Sequence, residues 1–139
     1  MPESLDLADD NRCFACGKLN PIGLKLEFEE RDGEYVAYFT PGREHQGFAG
    51  IVHGGIISTV LDEVMARYAW VLGRRAVTGE INVCLRRPAR VGSRLRFAGR
   101  IDSEDRRLIR ASARATDESG AVVAEATARM VKVAQDDRV

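Results

Sequence analysis

The chain has 139 residues, 45% of them hydrophobic and 30% charged, with 21 basic against 21 acidic side chains. That length predicts one domain over residues 1–139 with a single core, and the balanced charge argues against a polyanion-binding protein. Three cysteines do not make a disulfide framework, no apolar run is long enough to span a bilayer, and "MPESLDLADDNR" lacks the basic start and apolar stretch of a secretory leader, so a soluble cytoplasmic protein is expected.

Residues 1–12 are polar and predict a loose arm. "CFACGKLNPIGL" follows, rich in turn formers and without periodicity. "LKLEFEE" alternates strictly, which predicts a strand with Leu24, Leu26 and Phe28 on one face, and Asp32-Gly33 predicts a hairpin turn into a second strand, "EYVAYFT". The glycine-rich loop "PGREHQGFAG" leads to a helix in "IVHGGIISTVLDEVMARYAW", where Ile56, Ile57, Val60, Leu61, Val64, Met65 and Tyr68 recur at helical spacing. Beyond it, "AVTGEINVCLRR", "RLRFAGRID", "RLIRASARATD" and "AVVAEATARMVKV" read as four strands, divided by Pro88, Gly92 and turns at 103–105 and 119–120. Two strands, one long helix and four strands leave no material for repeated parallel crossovers. The expected fold is α+β, a curved, mainly antiparallel sheet of five to six strands wrapped around one apolar helix.

Two features of this helix do not serve a buried apolar element. At its start, Gly54 and Gly55 let the chain turn tightly and a ligand come close to the backbone. The first amides of a helix are unpaired and carry the positive end of its dipole, which suits an anion or a carbonyl oxygen that becomes negative during reaction. A plain glycine-rich turn is the alternative. In the middle, Asp62 shares a face with Ser58, Thr59, Ala66 and Ala69, opposite the apolar stripe, where small residues leave room for a ligand. Glu63 points further round toward Arg67, with which an ordinary i,i+4 pair is expected. Asp62 has no such explanation and is either part of an exposed polar face or a functional acid.

Gly54 and Asp62 stand about 12 Å apart along the axis, at 1.5 Å per residue. One reacting carbonyl needs its oxygen near the amide and its carbon near the carboxylate, all within about 3–4 Å. A single straight helix cannot supply both, but two antiparallel copies can. An active site built from these groups therefore requires a dimer.

His53-Gly54-Gly55, with Asp62 nine positions after the histidine, resembles the signature of hotdog-fold acyl-CoA thioesterases of the PaaI-like (phenylacetate-degradation) type. "CFACGKLNPIGLKL" and "VTGEINVCLRRPARVG" are similar to segments common in that group, and the likeness runs from about Cys13 to Val133. The resemblance implies the hotdog fold, a homodimer or dimer of dimers, and hydrolysis of acyl-CoA to free CoA and a carboxylic acid without a cofactor. Position by position, it implies that Asp62 activates water or attacks the thioester, and that the Gly54 amide polarises the carbonyl. It implies further that His53 shapes the turn and that Thr78 orients the nucleophilic water. Gly55 and Ser58 are the neighbouring candidates for substrate contact. Members often carry Asn or Gln six residues before the histidine; here that position is Gly47, and Gln46 one place earlier is the candidate.

Cys13 and Cys16 look like half of a zinc knuckle, but no second pair exists, so no metal is expected. Neither thiol has a base in evident relation to it. Residues 86–114 hold ten arginines against three acids. Most are outward positions of half-buried strands, and Arg86, Arg87 and Arg90 are the candidates for meeting CoA phosphates. Nucleic acid fits poorly, because aromatics are few and Phe97 alone among these arginines makes no stacking platform. Two rivals stand beside hydrolysis. A hotdog acyl-CoA dehydratase or hydratase needs a His–acid pair across the dimer, whereas a non-catalytic acyl-CoA binding module needs Gly54 but not Asp62.

Overall fold

The computed structural model describes residues 5–134. In chain order the elements are β1 (Phe28–Arg31), β2 (Glu34–Phe39), a short 3-10 turn (Arg43–His45), α1 (Gly54–Val71), β3 (Ala76–Leu85), β4 (Leu95–Glu104), β5 (Leu108–Thr116) and β6 (Val122–Lys132). The six strands form one antiparallel sheet in the order β1-β2-β4-β5-β6-β3, curved around the helix. β3 follows the helix directly yet pairs with the last strand, so it lies at the sheet edge. This is the hotdog fold.

The β1–β2 hairpin turns as its residues dictate. Asp32 (φ 52°) and Gly33 (φ 79°) both take the left-handed conformation that a two-residue turn of matching twist requires, and Arg31 pairs with Glu34. The first strand is shorter than its alternation predicts. Lys25 is left-handed at φ 54°, and the strand begins only at Phe28. Leu26 is buried all the same, because Leu24 and Leu26 donate their N–H groups to Phe14 and Ala15 at 2.9 and 3.0 Å. The segment is thus paired with the cysteine turn, outside the sheet.

The helix presents Ile57, Val60, Leu61, Val64 and Met65 to the sheet, each no more than 3% exposed. The facing strands are built small: Ala111, Ala113 and Ala115 of β5 stand in register with Ala128, Ala126 and Ala124 of β6, and all are buried. Short side chains bring the sheet close to the helix. At Gly99 of β4 the approach is closest, since a Cβ there would lie 2.5 Å from the carbonyl oxygen of Val64. Tyr68 extends the core by stacking on Tyr35, which stacks on Phe28, with ring centres 5.1 and 4.8 Å apart.

One expectation changes. Ala69, placed by periodicity on the open face with Asp62, is 1% exposed. The chain doubles back over it through residues 72–75, and the Arg74 N–H bonds to its carbonyl at 2.9 Å. Along the N-terminal segment, Asp9 forms a 2.8 Å ion pair with Arg67 of α1. No described helix is long and apolar enough to cross a membrane.

Candidate active site

The start of α1 is organised by His53. It is the N-cap residue, with extended backbone (φ −61°, ψ 132°), and its Nδ1 accepts the Gly55 N–H at 2.8 Å. The ring lies so near Gly55 that a Cβ there would come within 3.0 Å of Nδ1, which explains the second glycine. This cap uses the Gly55 amide and leaves the Gly54 N–H without a partner among the described residues. Ser58 and Thr59 donate their hydroxyls to the Gly54 and Gly55 carbonyls, each at 2.8 Å, so Ser58 braces the first turn.

Gln46 supports the same turn. It bridges Val52, and its Oε1 accepts the N–H of Gly50, a left-handed residue at φ 78°, at 3.0 Å. The oxygen is spent on that loop, and the amide nitrogen remains as a donor. Leu85 was missed by sequence reasoning. It lies over the helix start, its Cδ1 2.7 Å from where a Gly54 Cβ would sit, and it is 56% exposed. Leu85 continues the phase of Ile81 and Val83, which pack against the core, and that was the available signal.

Asp62 is half-buried in mid-helix and accepts a 2.8 Å hydrogen bond from the Thr78 hydroxyl of β3. Thr78 flanks a bulge in the β3–β6 pairing, where Gly79 is the extra residue. Burial pushes the Asp62 carboxyl above its usual range, and the Thr78 hydroxyl pulls it part of the way back. The second carboxylate oxygen has no partner among the described residues. A carboxylate raised toward neutrality, oriented through one oxygen and open at the other, is equipped to act as base or nucleophile.

This pair gives a pH prediction. Thr78→Val removes the one interaction that lowers the Asp62 pKa, so the group should hold its proton to higher pH. The acidic limb of the pH–rate profile, where activity rises as Asp62 ionises, should therefore move upward. A limb that stays in place or moves down would mean that Asp62 does not set it.

Glu63 departs from expectation. Arg67 is taken by Asp9, and Glu63 instead accepts the Cys13 thiol at 3.3 Å. The N-terminal segment crosses the helix here and gives each charge a nearer partner. Burial raises the Cys16 thiol well above its usual range, with Glu63 and Cys13 adding to the effect, so it is not poised as a nucleophile.

Arg86 forks onto Glu125 through Nε and Nη2, at 3.2 and 3.1 Å. Arg87 and Arg90 are exposed. The Ile51–Arg90 bridge and the 2.8 Å bond from the Val52 N–H to Ala89 tie their turn to the loop that starts the helix. These cations therefore flank the Gly54 end, with Arg86 already engaged. Gly54 and Asp62 lie on one unbroken helix of 18 residues, about 12 Å apart along it, so one chain does not bring the two groups to the same atom.

The sequence profile of the thioesterase superfamily matches residues 49–124. No curated protein matches the chain significantly. Among solved structures, a hypothetical thioesterase with coenzyme A from Streptococcus pneumoniae TIGR4 is 23% identical, with a TM-score of 0.74 over 79% of this chain and 87% of that one. Versions of the same protein with one aspartate or one threonine replaced by alanine also match. A putative thioesterase from Ralstonia eutropha JMP134, a phenylacetic acid degradation-related protein, is 24% identical (TM-score 0.71; 78% and 85% covered). AziG from S. sahachiroi is 26% identical (TM-score 0.72; 79% and 92% covered).

Proposed function

Because the chain belongs to the thioesterase superfamily and is a thioesterase, we propose that it hydrolyses acyl-CoA at sites shared between the subunits of a homodimer. The Asp62–Thr78 pair carries this reading. The two alanine replacements in the pneumococcal protein lie sixteen residues apart, the same interval as Asp62 and Thr78, and that protein was solved with coenzyme A.

In this mechanism Asp62 takes a proton from water as the water oxygen attacks the thioester carbonyl carbon, and Thr78 holds the carboxylate in place. The carbonyl oxygen gains negative charge and is met by the Gly54 amide of the partner subunit. The C–S bond then breaks, the CoA sulfur takes a proton, and the acid is released. Direct attack by Asp62, through an anhydride that water then opens, uses the same groups. Gln46 keeps an amide donor near the helix start, and the exposed Arg87 and Arg90 meet CoA phosphates there. The unpaired edge of β3 supports pairing with a second copy. A dimer is the smallest unit the site requires, and a dimer of dimers is compatible with it. Three free cysteines suit the reducing cytoplasm, where we place the protein.

The dehydratase reading asks His53 to act as a base, but its Nδ1 is committed to capping the helix. Release of free thiol from short, long and aromatic acyl-CoAs, followed with a thiol-reactive chromogen, tests the proposal. Thiol release from at least one class is expected. Binding of every class without thiol release would leave a dehydratase or a binding module.

A further inference from the structure

By sequence, Cys13 and Cys16 are two metal donors without a second pair. The fold adds a third donor. Glu63 of α1 is brought to the Cys-x-x-Cys turn, and one donor atom each from Cys13, Cys16 and Glu63 lie within 4.8 Å of one another. The turn is held in place around the two sulfurs. Gly17 N–H bonds to the Cys13 carbonyl at 2.8 Å, Leu24 and Leu26 bond to Phe14 and Ala15, and Ala15 is buried in the core. Nothing in the proposed hydrolysis uses these three side chains.

We propose that Cys13, Cys16 and Glu63 bind one zinc-class divalent ion, with water in the fourth position of a tetrahedral site. Two thiolates select a soft or borderline ion, and three donors are too few, and too rich in sulfur, for calcium or magnesium. Binding breaks two S–H bonds, forms two sulfur–metal bonds and sends two protons to solvent. No electron transfer is involved. Two thiolates, a carboxylate and a divalent ion carry one net negative charge, beside the Arg67–Asp9 ion pair. The ion would clamp the N-terminal segment to the central helix one residue from Asp62.

The test uses the full chain, reduced with a phosphine, and cobalt(II) as a spectroscopic probe that zinc then displaces. Thiolate-to-cobalt charge-transfer absorption should saturate at one equivalent per chain and weaken as pH falls, because protons compete for the sulfurs. Cys13→Ser and Cys16→Ser should each lose the absorption, Cys84→Ser should keep it, and Glu63→Gln should weaken binding at least about tenfold, a loss that even outer-shell partners cause. Zinc should raise the melting temperature of the wild type and not of the Cys13→Ser/Cys16→Ser variant. The site is refuted if no charge-transfer absorption appears while all three thiols titrate as reduced, or if the absorption survives loss of both Cys13 and Cys16. Unchanged affinity in Glu63→Gln would remove the carboxylate from the site and refute the three-donor assignment.

Discussion

Asp62→Asn should lower turnover by at least about a hundredfold, the scale expected on losing a positioned base. At about 1.36 kcal/mol per decade this is roughly 2.7 kcal/mol of transition-state stabilisation. The substitution is a clean probe because asparagine keeps a carbonyl oxygen for the Thr78 hydroxyl, so the geometry survives while the proton acceptor is lost. Burial already disfavours the charged carboxylate here, which means that the fold should tolerate its neutral replacement. Glu63→Gln is the control: the residue is adjacent in sequence but faces the Cys13 turn, and its loss should cost far less. Turnover that falls equally in both variants, or persists in Asp62→Asn with an unchanged melting curve, would show that Asp62 is not the reacting acid.

Mixed dimers should recover activity that neither parent has. A Gly54→Pro chain lacks the amide donor and an Asp62→Asn chain lacks the carboxylate, so each homodimer should be nearly inactive. Their heterodimer gathers both lesions into one site and leaves the other with a wild-type glycine and a wild-type aspartate. It should regain up to about half of wild-type activity. The backbone is prepared for this proline. Gly54 is the first helical residue, where proline is well tolerated, and His53 already has the extended ψ of 132° that a following proline demands. The contact to be relieved is the end of a flexible leucine, Leu85 Cδ1. Differently tagged chains, co-expressed and purified for the mixed species, give the measurement, with circular dichroism and dimer mass checked first. A folded heterodimer without recovered activity would mean that both groups act within one chain, or that one of them has no part in the reaction.

How much of this was legible in the sequence depends on the range over which each feature is decided. Helix α1 could be read because its core-facing residues repeat every three to four positions, and the strands β3 to β6 because turn-forming residues divide them. The β1–β2 turn could be read because few residues accept two successive left-handed conformations, and Asp32-Gly33 is such a pair. The separation of Gly54 from Asp62 followed from helical rise alone, and the observed helix keeps it. Side-chain partners were another matter. Asp62 and Thr78 meet because the helix and an edge strand sixteen residues away are packed together, and no local pattern encodes that meeting. Glu63 and Arg67 stood one helical turn apart, the spacing of an ordinary pair, yet Asp9 and Cys13 reached them first from a segment more than forty residues earlier. Ala69 was buried by a chain reversal that its own periodicity could not announce. The sequence by itself determined the elements, their order and the spacing of groups along one helix, because these rest on backbone geometry and on the burial phase of consecutive residues. Only the tertiary structure decided which side chains touch, because a contact depends on how closely two distant segments approach, and that distance is set by all the packing between them.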